Sequence, residues 1–127
     1  MGSGVGPLNF ILDTNAVIYL QKGLLDETLP HGRIAISMIS EIELRGFPGL
    51  VTDQETRLLR FLDSIQIIGL SHDIKEEAIR LRRDHRLKLP DAIIAATAIT
   101  YGAVLLSNDE HLHGVTGLNC RKLALKQ

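Results

Sequence analysis

Short apolar runs alternate with helical patterns along this chain of 127 residues, and no other feature constrains its fold as strongly. Runs typical of buried strands occupy residues 8–12, 33–37, 66–70 and 103–107. Strands that alternate with helices pair in parallel, because each helix carries the chain back across the sheet in a right-handed crossover. We therefore expect an α/β fold of three layers, α/β/α, with a central parallel sheet of about five strands.

The helical segments differ in how much of their circumference is apolar. Residues 91–101 are apolar around most of the helix, with Pro90 suited to its first turn and Gly102 to its end. This pattern predicts a deeply buried helix. The segments that begin near Thr52 and after Ser71 carry a single apolar stripe instead, which is typical of helices on the surface of a core.

Composition narrows the class of protein. Hydrophobic residues make up 45% and charged residues 23%, as in globular domains. Fourteen Lys and Arg against 15 Asp and Glu give a net charge of -1, so no general basic field favours nucleic acid. The one cysteine, Cys120, excludes an internal disulfide and a cysteine-rich zinc site. No apolar stretch is long enough to span a bilayer. We expect one cytoplasmic domain over residues 8–127 without membrane association, and interpret residues 1–7 as a cloning remnant or disordered start.

Four acidic residues stand at comparable places in the predicted elements. Asp13 follows the first strand and Glu43 lies in the helix after the second. Asp91 opens the buried helix, and Asp109 lies two residues beyond the run that we take as the last strand. Functional groups in open parallel sheets collect beyond the carboxyl ends of the strands. We therefore expect these four carboxylates to converge on one edge of the sheet.

Each of the four acids also has a purely structural interpretation, because carboxylates are enriched at helix starts. Asp13 suits an N-cap, and Ser40-x-x-Glu43 matches a capping box. Asp91 suits the positive end of its helix, and Asp109 suits the start of a short turn. Taken singly, none of the four is diagnostic of function.

Together, the carboxylates need something to offset their repulsion, which is roughly 3 kcal/mol for a pair ~5 Å apart at an effective dielectric of about 20. Either raised pKa values neutralise some of them or a divalent cation does. Oxygen ligands without a Cys or His cluster favour Mg²⁺ or Mn²⁺ over zinc. Because Mg²⁺ prefers phosphate oxygens as its remaining ligands, we expect a phosphate ester or phosphodiester substrate. Thr14, Asn15 and Ser107 adjoin the acids and are suited to orienting them.

Four segments resemble the ordered motifs of PIN-domain ribonucleases, and in particular the VapC toxins of bacterial and archaeal toxin–antitoxin pairs. They are residues 12–15 (Leu-Asp-Thr-Asn), 37–44 (Ser-Met-Ile-Ser-Glu-Ile-Glu-Leu), 89–98 (Leu-Pro-Asp-Ala-Ile-Ile-Ala-Ala-Thr-Ala) and 106–109 (Leu-Ser-Asn-Asp). The third segment is the most specific, and the likeness covers nearly the whole chain from residue 8. The resemblance implies a Mg²⁺- or Mn²⁺-dependent endoribonuclease, usually a homodimer, held inactive by a cognate antitoxin whose tail occupies the acidic groove.

Carried over by position, the resemblance makes four acids both catalytic and metal-binding, with three neighbours that assist: Asp13, Glu43, Asp91 and Asp109, assisted by Thr14, Asn15 and Ser107. The chain departs from the family pattern in three ways. Glu41 stands two residues before Glu43, although the Ser-x-x-Ser-x-x-Glu register favours Glu43. Ser107-Asn108 replaces the Thr-Arg that is frequent in the family, and the fourth acid varies within it.

Two other classes of protein also fit four clustered acids. One is a receiver-like phosphoacceptor or small Mg²⁺-dependent phosphatase. The absence of a lysine near the end of the predicted last strand argues against it. The other is a catalytically silent PIN domain that only binds RNA. The complete set of acids argues against that, because a degenerate site is expected to have lost one.

The densest basic region of the chain contains Arg80, Arg82, Arg83, Arg86 and Lys88. Phosphate contacts could come from it, or from Arg45, Arg57 and Arg60. Because the chain is close to neutral and Asp84 interrupts the region, we favour a solvated helix face. His111 and His113 lack other soft ligands nearby in the sequence, so we interpret them as loop residues.

Overall fold

In the computed structural model, which describes residues 7–127, five short strands form one parallel sheet. The strands are β1 (Phe10–Leu12), β2 (Ile34–Ser37), β3 (Gln66–Ile68), β4 (Val104–Leu106) and β5 (Cys120–Arg121). Their order across the sheet is β3-β2-β1-β4-β5, and every neighbouring pair is parallel. The prediction for residues 1–7 lies outside the described residues, Pro7 excepted.

Helices flank this sheet. They are α1 (Thr14–Gln21), α2 (Met38–Arg45), α3 (Thr52–Asp63), α4 (His72–His85) and α5 (Leu89–Tyr101), and a 3-10 turn at Glu110–Leu112 follows β4. Serine side chains cap two of them: Ser37 Oγ accepts from the Ile39 N–H at 3.1 Å, and Ser71 Oγ accepts from the Ile74 N–H at 3.2 Å. None of the helices formed by residues 7–127 has the length and apolar character needed to cross a bilayer.

Two apolar cores form because successive residues of a strand point to opposite faces of the sheet. Ile11 of β1 pairs with Leu105 of β4, and both pack against α4 and α5. One residue on, Leu12 pairs with Leu106, and both pack against α1, α2 and α3. All four side chains are fully buried. The sheet is therefore covered by helices on both faces, which confirms the predicted three-layer α/β/α fold.

The predicted buried helix is α5. Its residues 92–98 are all buried, and the Thr97 hydroxyl, the polar group among them, donates to the Ile93 carbonyl at 2.7 Å. Gly102 ends the helix in the left-handed conformation, with φ 64°, which glycine adopts at little cost. Because α5 is packed on all sides, Asp91 in its first turn is held in a defined position at the edge of the sheet.

The prediction that residues 103–107 form the last strand is wrong. β5 follows β4 in sequence and pairs with it, Cys120 opposite Leu105 and Arg121 opposite Leu106. A strand of two residues is too short to show any periodicity, so the pattern of apolar residues could not reveal it. Cys120 is only partly buried as a result of its place on this edge strand.

Candidate active site

The predicted acids lie where strands end and helices begin. Asp13 directly follows β1 and is the N-cap of α1. Glu43 lies in α2, the helix that starts where β2 ends. Asp91 is in the first turn of α5, and Asp109 is the N-cap of the 3-10 turn after β4. Each of these elements brings its carboxylate toward the carboxyl edge of the sheet.

Asp13 is the most buried of the four acids, with 6% of its surface exposed. Its Oδ1 accepts from the Ala16 N–H at 2.8 Å, so the structural interpretation of Asp13 as a helix cap is correct. Burial raises the pKa of Asp13, and the negative charges of Asp109 and Asp91 raise it further. Hydrogen bonds from the Ser107 hydroxyl and the Ala16 amide oppose this rise. Asp13 is therefore a cap that also belongs to a group of interacting carboxylates.

Asp91 connects the remaining acids electrostatically. Partial burial raises its pKa, and the carboxylates of Asp109 and Glu43 add to the rise. Lys88 and His111 act in the opposite direction, because a positive charge near a carboxylate favours its ionised form. Asp91 thus interacts with Asp109 and Glu43, and Asp13 interacts with Asp109 and Asp91, so the four carboxylates form one electrostatic group. We call this group, which consists of Asp13, Glu43, Asp91 and Asp109, the acid cluster.

The contacts of α2 distinguish between the two candidate glutamates. The Thr14 hydroxyl donates to Glu43 Oε1 at 2.6 Å and lies 3.0 Å from the hydroxyl of the fully buried Ser40. Glu41 instead forms an ion pair with Arg45 at 3.2 Å on the outer side of the helix. Glu43 is thus the glutamate that faces the end of β1. Ser40 is not the N-cap of a capping box, because α2 begins after Ser37, and the Ser-x-x-Ser-x-x-Glu spacing instead puts Ser40 and Glu43 on one helix face.

Ser107 joins two of the acids. It is fully buried, its hydroxyl donates to the carboxylate of Asp13, and its Oγ accepts from the Asp109 N–H at 3.1 Å. Asp109 Oδ1 accepts from the His111 N–H at 2.9 Å and lies 3.1 Å from the imidazole Nδ1 of His111. His111, to which the sequence analysis gave no role, is therefore a neighbour of the acid cluster. Its side chain is 88% exposed, so it remains accessible to a bound substrate.

Three other polar residues lie near the carboxyl edge of the sheet. Two of them make hydrogen bonds that hold the loop after β4, and the side chain of the third makes none to the rest of the described chain. Asn15, predicted to assist the acids, is exposed, and no side-chain hydrogen bond to another residue of 7–127 fixes it. Asn108 makes a paired contact with Leu123, donating to its carbonyl at 2.9 Å and accepting from its N–H at 2.7 Å. His113 Nε2 lies 2.9 Å from the Ser107 carbonyl oxygen. The last two contacts hold the loop that carries the fourth acid.

Cys120 lies beside this loop, with its Sγ 3.4 Å from His113 Nε2. Burial raises the pKa of the Cys120 thiol to about 11, and the negative charges of Asp13 and Asp109 contribute to the rise. The thiol is therefore protonated at neutral pH, where only the thiolate would serve as a nucleophile or metal ligand. The chemistry of the site consequently depends on oxygen and imidazole groups.

The acid cluster fits a hard divalent ion in its donor chemistry. It offers carboxylate oxygens, which Mg²⁺ and Mn²⁺ prefer. Within residues 7–127 no three carboxylate, imidazole or thiol groups stand close enough to enclose one ion, so the four acids do not form a closed ligand cage. An open arrangement suits Mg²⁺, because this ion keeps several waters and binds through one or two carboxylates together with phosphate oxygens of the substrate.

Solved structures with the same fold include a toxin–antitoxin complex and a member of the VapBC family of toxin–antitoxin systems. One chain of a toxin–antitoxin complex from Klebsiella pneumoniae is 34% identical, with a TM-score of 0.72 over 87% of this chain and 95% of that chain. VapBC2 from Rickettsia felis, bound to a DNA fragment from its promoter, is 23% identical with a TM-score of 0.76 over 91% and 99%. VapBC-5 from Mycobacterium tuberculosis is 23% identical with a TM-score of 0.70 over 91% and 99%.

Sequence comparison gives a consistent assignment. A search of curated proteins found no match to this chain. The sequence model of the PIN domain matches residues 10–118, which span the region from β1 to just before β5 and include all four members of the acid cluster. The match covers most of the chain, and the predicted resemblance is confirmed. The chain belongs to the PIN domain family.

Proposed function

We propose that this protein is a metal-dependent endoribonuclease that hydrolyses phosphodiester bonds of RNA, and that it is the toxin of a toxin–antitoxin pair. The observation that carries this proposal is the acid cluster, in which one buried and one partly buried carboxylate have raised pKa values. Carboxylates are held together against their repulsion where a cation and a phosphate substrate make the arrangement useful. Membership of the PIN domain family supports a nuclease over a receiver-like phosphoacceptor.

Asp13, Asp91, Asp109 and Glu43 would hold the divalent ion, which we propose to be Mg²⁺ or its substitute Mn²⁺. When bound, such an ion supplies Lewis-acid chemistry: it lowers the pKa of a water molecule and neutralises charge on the phosphate. The side chains around the acids keep them in place for this role. Ser107 links Asp13 to the Asp109 loop, and Thr14 fixes the Glu43 carboxylate.

Asp91 is the residue best suited to move a proton. Its carboxylate is only partly buried, so a water molecule beside the acid cluster can reach it and transfer a proton to it. We propose that water attacks the phosphorus in line with the departing 3′ oxygen while Asp91 accepts the water proton. The bond from the water oxygen to phosphorus forms as the bond to the 3′ oxygen breaks, and a second proton reaches the leaving oxygen from solvent. The products are a 5′-phosphate and a 3′-hydroxyl.

The proposed partners follow from the relatives. Two of the solved relatives are described as toxin–antitoxin systems, so we propose a cognate antitoxin that covers the acid cluster. The resemblance to VapC toxins leads us to propose a homodimer as the assembled form. A catalytically silent PIN domain is the alternative within the family. The complete acid cluster favours turnover over this alternative.

The proposal is tested with the purified protein and a mixed-sequence single-stranded RNA in the presence of Mg²⁺ or Mn²⁺. We expect cleavage that yields 5′-phosphate and 3′-hydroxyl ends and that stops on addition of EDTA. Binding of RNA without cleavage in either metal would contradict the enzyme assignment and favour the silent domain. Cleavage that continues undiminished in EDTA would contradict the metal dependence. Formation of a phosphoaspartyl adduct with a small phosphodonor, read by intact mass, would favour the receiver-like alternative.

A further inference from the structure

The acidic and basic residues of α4 alternate in the sequence, but in the structure the acids of its C-terminal half lie beside one arginine. Glu77, Arg80 and Asp84 follow one another at three and four residues along one flank of the helix, and Arg80 pairs with both acids. This flank is fixed to the loop before β5, because Arg80 donates to the Thr116 carbonyl at 3.3 Å and the Thr116 N–H donates to His85. Glu77 and Asp84, the acids of the C-terminal half of α4, are therefore both paired with Arg80.

The last turn of α4 and the segment that follows it carry positive charge without acidic partners. Arg82, Arg83, Arg86 and Lys88 are all exposed, and within residues 7–127 none of them forms an ion pair. We call these four residues the basic strip. The expectation of a solvated face rests on the near-neutral charge of the chain and on Asp84, which interrupts the region in sequence, but Asp84 is paired with Arg80. Asp84 therefore does not neutralise the basic strip.

The backbone at Arg86 is a second, independent observation. Arg86 is the C-cap of α4 in the left-handed conformation, with φ 55° and ψ 33°. Among residues 7–127 it is the one non-glycine residue with positive φ. α5 ends in nearly the same conformation, but with Gly102 at φ 64° and ψ 26°. Glycine would relieve the strain at the end of α4, so an arginine there points to a use for its charge.

The basic strip ends at the acid cluster. Lys88 is the N-cap of α5, and its positive charge acts on Asp91 three residues further on. Asp91 is five positions beyond Arg86 in the chain, which limits the distance between their Cα atoms to about 18 Å. The remaining arginines lie one turn further along α4. A polyanion held at the acid cluster is therefore within reach of positive side chains that form no ion pair within residues 7–127.

We propose that the basic strip binds the phosphate backbone of single-stranded RNA on its way into the acid cluster. This inference rests on the proposed nuclease function and extends it by naming the residues that hold the substrate. Arginine binds phosphate oxygens through two parallel N–H groups, which suits a strip that grips the backbone without reading the bases. It also explains how a chain of net charge -1 attracts a polyanion, since the charge is local.

A salt titration of RNA binding tests the strip. The probe is a fluorescent mixed-sequence RNA of 12 nucleotides, with EDTA present so that no cleavage occurs. R82Q/R86Q removes two charges of the strip, and R57Q/R60Q removes two charges from exposed arginines of α3 in the opposite layer. We expect R82Q/R86Q to bind about tenfold more weakly and to flatten the slope of log K against log salt by about 1.4, with R57Q/R60Q unchanged.

The outcomes of this titration distinguish RNA binding by the basic strip from RNA cleavage by the acid cluster. Equal losses in both double variants would mean that net charge alone acts, and would overturn the inference. So would a wild-type protein that binds no RNA at about 50 mM salt, or an R82Q/R86Q protein with the wild-type slope. If RNA binding falls as expected but the wild-type protein cleaves nothing in Mg²⁺ or Mn²⁺, the proposed nuclease function fails and the strip stands.

Arg86→Gly separates a role in RNA binding from a structural role. Because glycine relieves the left-handed strain, we expect the thermal midpoint to rise by about 3 °C. We also expect RNA to bind several-fold more weakly, since one phosphate contact is lost. A more stable variant that binds RNA with the affinity and salt slope of the wild-type protein would overturn the assignment of Arg86.

Discussion

Replacing Asp91 with Asn is expected to slow RNA cleavage by at least about 100-fold, within the range by which a positioned acid or base accelerates a reaction. The amide neither accepts the water proton nor provides the charge that attracts a divalent ion. The same change should leave the metal-free protein at least as stable as the wild-type protein. The reason is that burial and the neighbouring carboxylates raise the pKa of Asp91, so its ionised form is unfavourable in the folded state.

A combined assay distinguishes this outcome from loss of structure. Cleavage of RNA in Mn²⁺ and the thermal midpoint in EDTA are measured on the same preparations, with Asp53→Asn as the matched control. Asp53 is an exposed acid in the first turn of α3, outside the acid cluster. We expect Asp53→Asn to retain full activity. A folded Asp91→Asn protein that cleaves at the wild-type rate would contradict the role of Asp91, and a large fall in its thermal midpoint would mean that the carboxylate is structural.

Divalent ions are expected to stabilise the folded protein at neutral pH and to lose this effect in acid. At a concentration 100 times its dissociation constant, Mg²⁺ would add about 2.7 kcal/mol to the free energy of unfolding. Asp13 and Asp91 have folded-state pKa values above the ordinary 3.8. In the metal-free protein the folded state therefore binds more protons than the unfolded state between that value and the raised ones, and stability falls as the pH rises through this window.

Added Mg²⁺ reverses that trend, because it binds only the deprotonated acids. The measurement is thermal unfolding between about pH 7.5 and about pH 4.5, with and without Mg²⁺ at matched ionic strength. We expect the increase in thermal midpoint caused by Mg²⁺ to be largest at the highest pH and to shrink steadily as the acids protonate. Asp91→Asn should show little increase at any pH. An increase of the same size at all pH values, or in Asp91→Asn, would place the ion elsewhere.

Local sequence predicted the elements whose apolar residues form a clear pattern. The apolar circumference of residues 91–101 predicted the buried helix, and its packing fixes where Asp91 stands. Runs that alternate with helices predicted the parallel sheet, because this order leaves few other topologies. β5 was missed because a two-residue strand depends on its pairing with β4 and not on its own composition.

The site required contacts between distant residues. The Ser-x-x-Ser-x-x-Glu register favoured Glu43, but the decisive contact is its hydrogen bond with Thr14, 29 residues away. The pairing of Asn108 with Leu123 likewise joins residues 15 apart in sequence. The pairing of Arg80 with two acids of α4 depends on side-chain conformation, so the order of charges along α4 could not predict it. Sequence identifies which groups are present, whereas their partners depend on how distant segments pack.

Anomalous diffraction from crystals soaked in Mn²⁺ tests directly whether the acid cluster binds a divalent ion. We expect an anomalous peak at the carboxyl edge of the sheet, with carboxylate oxygens of the acid cluster, Asp91 among them, directly bound or joined to the ion through water. Crystals of Asp91→Asn under the same soak should show the peak weakened or lost. A wild-type crystal with no peak at this edge, or with its strongest peak away from the acid cluster, would contradict the account.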